Sequence, residues 1–320
     1  NIHHGGDIDL AIKKYGGERE DWIDLSTGIN GASYPWQESI NVELRNLPSN
    51  KILMQLEKAA ARAYKIAESA DTAAVSGAQQ IINLLPLCLK SCNSVAILGP
   101  TYNEYEKAFK SSKIKAQTVS EVSKLSSSDI AIIVNPNNPT GKVIAEEILD
   151  DLSKKVRILI IDESFKMFSS RRTLNFSNII QINSLGKFFG LAGVRLGFVS
   201  GPSEFIKTVK EMLGPWPVSS LAAEIGIVAL NDKVWISEME KILVTESNAL
   251  HEVCNSRNWE LVGRTYLFHT YATSSCLEVE KQFAAHGIWV RTFDYSKTWV
   301  RLGIPTSENA WTRLKQALNQ

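Results

Sequence analysis

Cysteine is scarce in this chain, with four residues in 320. That is too few for a disulfide scaffold at this length. Cys88 and Cys92 stand close together on an expected helix, but no His or Cys pair follows at zinc-site spacing. His3 and His4 are adjacent without a third ligand in sight, so no metal is expected. Net charge is also missing. The 35 basic and 34 acidic side chains leave +1, which argues against nucleic acid or an anionic membrane as partner. No apolar run approaches the roughly 18 residues that cross a bilayer. The opening Asn1-Ile-His-His-Gly-Gly lacks the charged-then-apolar pattern of a secretory signal. The glycine signatures of Walker and dinucleotide loops are absent, as are internal repeats and low-complexity tracts. What remains is an expected cytoplasmic protein with reduced thiols. Its 44% hydrophobic and 22% charged residues are ordinary for a soluble globular enzyme. The length suits one large domain and a smaller one.

Residues 1–36 read as irregular, with one short helix over about 9–15. The polar loop Asp24-Leu-Ser-Thr-Gly-Ile-Asn30 follows a short apolar strand, and such loops often line sites. Its Gly28 and Asn30 are candidate substrate contacts. Leu53, Leu56, Ala59, Ala60, Ala63 and Tyr64 recur at helical spacing. A strand over 72–75 then meets Ser76-Gly77-Ala78-Gln79, which opens a helix over about 78–89. Such a turn is either a plain strand–helix junction or an anion site at a helix N-terminus. Apolar strands follow at 94–98, 129–134, 157–161, 179–182 and 196–199. Alternating with helices, they predict an α/β fold with a mostly parallel, seven-stranded-type sheet between helices. Ligand groups then gather at the carboxyl ends of the strands, where Ser76, Tyr102, Asn138, Asp162 and Lys187 fall. Residues 122–128 read as a surface loop. Gly214-Pro-Trp-Pro-Val-Ser219 breaks the pattern, and one long helix over about 220–247 is expected to bridge domains. The remainder reads as a small α+β domain, with strands near 260, 266–271, 288–291 and 299–302 and a helix from Glu308. The expected division is 41–219 as the large domain, with 1–40 and 220–320 forming the small one.

The stretch Gln181-Ile-Asn-Ser-Leu-Gly-Lys187 and the run to Gly197 carry the chemistry. Lys187 sits among apolar and glycine residues, where the ammonium form is disfavoured and the amine becomes a nucleophile toward aldehydes. Ser184 and Arg195 offer a hydroxyl and a fixed positive charge suited to a phosphate. Together they suggest pyridoxal phosphate; the alternative is a solvated lysine beside a glycine turn. Such a cofactor needs an anion near its pyridine nitrogen, and Asp162 at a strand end suits that. Asn138 can donate to the ring's phenolic oxygen, or serve as a turn asparagine. Tyr102 can stack on the ring, or be a core aromatic. Arg301, in Trp-Val-Arg-Leu-Gly-Ile-Pro305, is the candidate for a substrate carboxylate, or a surface arginine on an edge strand.

Asn-Asn-Pro-Thr-Gly141, Asp162-Glu163, Ser-Leu-Gly-Lys187 and Gly-Val-Arg-Leu-Gly197, in that order, resemble the fold-type I pyridoxal phosphate enzymes of the aminotransferase group. The resemblance covers nearly the whole chain. It implies Lys187 as the lysine that joins the cofactor aldehyde, Asp162 at the pyridinium, Asn138 at the phenolic oxygen and Arg301 at the carboxylate. It also implies Ala78, Gln79, Ser184 and Arg195 around the cofactor phosphate, and a homodimer. Within the group the chain is similar to the threonine-phosphate decarboxylases of cobalamin synthesis more than to histidinol-phosphate aminotransferases. His4-Gly5-Gly6, the 24–30 loop, Leu-Gly-Pro-Trp-Pro-Val-Ser219 and Gly-Ile-Trp-Val-Arg291 carry that likeness. Phe165 does too, standing where most aminotransferases have a tyrosine. Gly31, Leu47 and Ser164 depart from the usual pattern. The implied reaction is decarboxylation of a phosphorylated amino acid, L-threonine O-phosphate, with His4 and Arg291 as candidates for the substrate phosphate. A histidinol-phosphate type aminotransferase is the alternative.

Overall fold

The computed structural model describes residues 5–110 and 112–319. The chain packs as two compact units. The larger takes Ser33–Asn138 and Lys142–Ser237; the smaller takes Asn1–Ala32, Pro139–Gly141 and Glu238–Gln320.

Helix α1 (Ile8–Tyr15) and strand β1 (Ile23–Asp24) come first, in the smaller unit. The larger unit then runs α2 (Asn50–Ala63), β2 (Asp71–Val75), α3 (Ala78–Cys88), β3 (Ser94–Leu98), α4 (Glu104–Lys110) and β4 (Lys115–Val119). It continues through β5 (Ile130–Val134), α5 (Glu146–Ser153), β6 (Ile158–Asp162), β7 (Ile179–Ser184), α6 (Leu185–Phe188), β8 (Gly197–Gly201), α7 (Ser203–Leu213) and α8 (Ser220–Asn231). Its seven strands lie in the order β2-β8-β7-β6-β5-β3-β4. All neighbours are parallel except at β8, which is antiparallel to both β2 and β7. Strand β5 reads Ile-Ala-Ile-Ile-Val and β6 Ile-Leu-Ile-Ile-Asp, the near-continuous apolar runs of strands covered on both faces. Alternate residues serve opposite faces. Ile130 and Ile132 join a core with Ile81, Leu85 and Tyr105. Ala131 and Ile133 join another with Leu149, Leu159 and Ile161.

Three sequence expectations change here. Strand β4 was not anticipated, because Lys-Ala-Gln-Thr-Val is an edge strand that is half exposed and mostly polar. The 122–128 stretch is not a simple loop: Val122–Ser127 is a 3₁₀ turn that buries Leu125. The single helix over 220–247 is two helices, α8 and α9 (Lys233–Cys254). Asp232 ends the first and caps the second, its Oδ1 accepting the Trp235 N–H at 2.9 Å.

The smaller unit continues with β9 (Glu260–Arg264), β10 (Phe268–Ala272), α10 (Cys276–Ala284), β11 (Ile288–Trp289), β12 (Arg291–Phe293), β13 (Ser296–Gly303) and α11 (Glu308–Leu318). Its sheet is antiparallel, ordered β12-β13-β10-β9. The strand expected over 288–291 divides at Val290. β11 pairs with β1, while β12 joins the sheet. Leu250, Tyr271, Phe283, Val300, Leu302 and Leu314 form the core.

The observed units divide the chain elsewhere than 41–219 against the rest. Residues 33–40 and 220–237 pack with the larger unit. There the Tyr34 N–H donates to the Phe189 carbonyl at 2.9 Å, and α8 lies on α2. Pro139–Gly141 packs with the smaller, where the Thr270 hydroxyl donates to the Pro139 carbonyl at 2.5 Å.

Candidate active site

In the larger unit the ends of β5, β6 and β7 and the start of α3 surround one cavity. Ala78, Gln79, Tyr102, Asn138, Asp162, Ser184, Lys187 and Arg195 all line it. So do Ile82, Val134, Ser164 and Phe165. Ser76 is exposed, and neither Ser76 nor Gly77 is among the lining residues.

Asp162 ends β6 as a buried carboxylate. The Tyr105 hydroxyl donates to its Oδ2 at 2.8 Å, and the Ser164 N–H donates to Oδ1 at 2.9 Å. Burial pushes its pKa up; the Ser164 and Tyr105 hydrogen bonds and the charge of Lys187 oppose that. When ionised, a buried carboxylate held this way offers a fixed negative charge to a cation. Behind it, Arg171 donates to Glu163 Oε2 at 2.8 Å and to Asn183 Oδ1 at 2.9 Å. The Arg171 guanidinium lies 4.7 Å from the Tyr64 ring centroid. This buried network fixes the strand end that carries Asp162.

Lys187 is half-buried in the short helix α6, its Nζ 5.7 Å from the Phe165 ring centroid. Asn138 is held by its neighbours. Asn137 accepts from the Thr101 hydroxyl at 2.6 Å and donates to the Pro100 carbonyl at 2.9 Å. Asn135 both accepts from the Ile144 N–H at 2.8 Å and donates to its carbonyl at 3.1 Å. Two asparagines therefore brace the loop and the third faces the cavity. The Tyr102 hydroxyl donates to Gln79 Oε1 at 2.9 Å, and burial pushes its pKa up to about 12, so the phenol stays protonated.

The other end of the cavity suits an anion. Helix α3 begins there, and the first N–H groups of a helix have no intrahelical acceptor. Arg195 lies at φ 57° and ψ 58°, a left-handed conformation that costs roughly 1–2 kcal/mol for a side chain other than glycine. It brings the guanidinium against Gly77, where a Cβ would stand 2.6 Å from Nη2. Gly77 itself has φ +80°, a conformation that favours glycine.

Pyridoxal phosphate needs an amine, an anion for its ring nitrogen, a donor for its phenolic oxygen and a phosphate cradle. Lys187, Asp162, Asn138 and the Arg195–α3 corner supply these, so the residues fit the group. Tyr105 and the Ser164 N–H were not singled out from sequence. The spacing Tyr102-x-x-Tyr105 at a helix start was the available signal.

In the smaller unit Arg301 on β13 is buried, and its Nη2 donates to the Ser26 carbonyl at 2.7 Å. Its guanidinium carbon lies 5.1 Å from the Phe268 ring centroid. Arg291 on β12 stands opposite it in the strand register. Burial lowers the pKa of Arg301 to about 10, and Arg291 lowers it further in sign, with Tyr295 and Asp24 opposing. Burial lowers that of Arg291 also. Like charges opposed across strands repel, so the pair is suited to a bound anion. Gly28 and Asn30 are buried nearby in sequence to Ser26, and Asn30 Oδ1 accepts the Ala32 N–H at 2.9 Å. His3 and His4 lie outside the described residues.

The aminotransferase class I and II family matches residues 20–318. A threonine-phosphate decarboxylase from a Sinorhizobium species is 31% identical over 327 residues, covering 99% of this chain and 97% of that protein. Another from Pseudomonas aeruginosa is 32% identical over 332 residues, with 99% and 97% covered. Among solved structures, a histidinol-phosphate aminotransferase from Clostridium acetobutylicum is similar at a TM-score of 0.79. It has 23% identity and covers 92% of this chain and 97% of that one. The chain therefore belongs to the class I and II aminotransferase family. Its cofactor is pyridoxal 5′-phosphate.

Proposed function

We propose that this protein is a carbon–carbon lyase that decarboxylates L-threonine O-3-phosphate to an aminopropanol phosphate, a precursor of the cobalamin side chain. The observation that carries the reading is the near full-length similarity to two threonine-phosphate decarboxylases. Phe165 in the cavity supports it, because a ring without a hydroxyl leaves Asn138 as the side-chain donor assigned to the phenolic oxygen.

Bound there, pyridoxal phosphate withdraws electrons from the substrate Cα. The residues have separate tasks. Asp162 supplies the negative charge that keeps the ring nitrogen protonated. Arg195, Ser184, Ala78 and Gln79 hold the cofactor phosphate, with Ser76 and Gly77 beside them between β2 and α3. Lys187 would hold the cofactor aldehyde and would supply the proton that replaces the carboxylate at Cα. Arg301 takes the substrate carboxylate. Arg291 and His4 take the substrate phosphate, and Gly28 and Asn30 contact the substrate. Two anchored anionic groups set the rotation about the N–Cα bond, so that the carboxylate rather than the proton is the group released.

The test is CO₂ release from carboxyl-labelled L-threonine O-phosphate, with unphosphorylated threonine a poor substrate. Amino transfer from histidinol phosphate with no CO₂ from threonine phosphate would replace this reading with the aminotransferase one. We also place the enzyme in the cytoplasm as a homodimer. Leu44, Leu47 and Trp216 are exposed on the larger unit, where the Ser220 hydroxyl ties the 44–47 segment to α8. A fully active monomer in light scattering at micromolar concentration would overturn the dimer. No helix among the described residues is long and apolar enough to cross a membrane.

A further inference from the structure

We infer that Ser26 is a positioning residue for Arg301, and that position 5 is glycine because any larger residue would displace the Ser26 carbonyl. The inference rests on the reading of Arg301 as a substrate ligand. Arg301 is held on two sides. The Phe268 ring lies 5.1 Å from its guanidinium carbon, and the Ser26 carbonyl accepts from Nη2 at 2.7 Å. Arg291 stands opposite in register and repels it, so a fixed acceptor is needed to keep the guanidinium in one orientation.

Ser26 is built to be that fixed point. It is fully buried. Its N–H and its hydroxyl both donate to Asp24 Oδ1, at 2.8 and 2.6 Å. The preceding residue is tied on both sides: the Leu25 N–H donates to the Trp289 carbonyl at 2.9 Å, and the Leu25 carbonyl accepts the Gly303 N–H at 2.7 Å. The Gly6 N–H donates to the Ser26 hydroxyl oxygen at 2.8 Å, which draws the chain at Gly5 across the same peptide. A Cβ at position 5 would lie 2.4 Å from the Ser26 carbonyl oxygen and 3.0 Å from its carbon. Both are backbone atoms on a segment that cannot retreat. Relief comes from rotating the peptide after Ser26, and that turns its oxygen away from Arg301.

The experiment is a double-mutant cycle read as KM and kcat for L-threonine O-phosphate on the cofactor-loaded enzyme. Gly5→Ala should raise KM about tenfold, a part of the roughly hundredfold that a full 1 Å misplacement can cost. Its kcat and cofactor absorbance should stay near wild type. Arg301→Lys should raise KM as well. In the double variant Gly5→Ala should add almost nothing, because residues acting through one another are not additive. If Arg301→Lys raises KM while Gly5→Ala leaves it unchanged, or if the two effects multiply, the positioning role is wrong and the reading of Arg301 stands. If Arg301→Lys leaves KM unchanged, that reading fails and takes the inference with it. Ser26→Ala is the second probe should Gly5→Ala not fold. It keeps the carbonyl and the N–H bond to Asp24 but removes the hydroxyl's bonds to Asp24 and Gly6, so KM should rise a few-fold, again only when Arg301 is present.

Discussion

Tyr105→Phe removes one hydroxyl and leaves the ring that packs in the core. That hydroxyl donates to the buried Asp162 carboxylate at 2.8 Å. A hydrogen bond to a charged group contributes about 1.5–3 kcal/mol, which corresponds to roughly one to two pKa units. Burial already holds Asp162 above the ordinary carboxylate range, and the variant should raise it further. A carboxyl whose folded pKa exceeds its unfolded value keeps its proton longer in the folded state. Stability of the cofactor-free protein therefore falls as pH rises through that window. In Tyr105→Phe the window extends upward. The loss of stability relative to wild type should be about 1 kcal/mol or less at acid pH, where only a neutral hydrogen bond is lost. It should grow toward about 1.5–3 kcal/mol near neutral pH. Denaturant unfolding across a pH series measures this, and the acid limb of kcat/KM should move up alongside. A stability difference independent of pH, together with an unmoved acid limb, would refute the coupling of Tyr105 to Asp162.

Borohydride reduction of the yellow holoenzyme should leave the cofactor label on Lys187; a label on another residue would remove Lys187 from its role. Asp162→Ala leaves a ring cation without its buried partner, a loss on the order of 3–5 kcal/mol. Cofactor titration should show weakened binding, and turnover should nearly vanish. Arg291→Ala should lower kcat/KM for threonine phosphate about tenfold to a hundredfold and affect unphosphorylated threonine far less; an equal effect on both would dismiss its phosphate role. His269 is buried between the Ser247 hydroxyl at 2.8 Å and the Tyr271 hydroxyl at 3.1 Å, and burial holds its pKa down to about 3. The unfolded chain takes up that proton first, so stability should decline as pH falls from about 6.5 toward 3, by up to about 1.4 kcal/mol per unit. His269→Gln should flatten the decline in unfolding experiments over that range.

Much of the larger unit was legible in the sequence because its strands are buried on both faces. Ile130–Val134 and Ile158–Asp162 read as strands without knowledge of their neighbours, and Lys187, Asp162 and Asn138 stand at or just beyond strand ends by chain position alone. The edge strand Lys115–Val119 did not read this way, because half of it faces water and its polar residues carry no periodic signal. The helix break at Asp232 turned on one capping hydrogen bond within an otherwise helical pattern. Tertiary structure alone decided which groups meet. The Tyr105 hydroxyl reaches Asp162 from 57 residues away in the chain, and the Ser26 carbonyl reaches Arg301 from 275. Local sequence dictates periodicity, caps and turns over a few residues. Contacts across such separations exist only once β3, β5 and β6 lie side by side in one unit and β1 and β13 have folded into the other, and it is those contacts that set the charge of Asp162 and the orientation of Arg301.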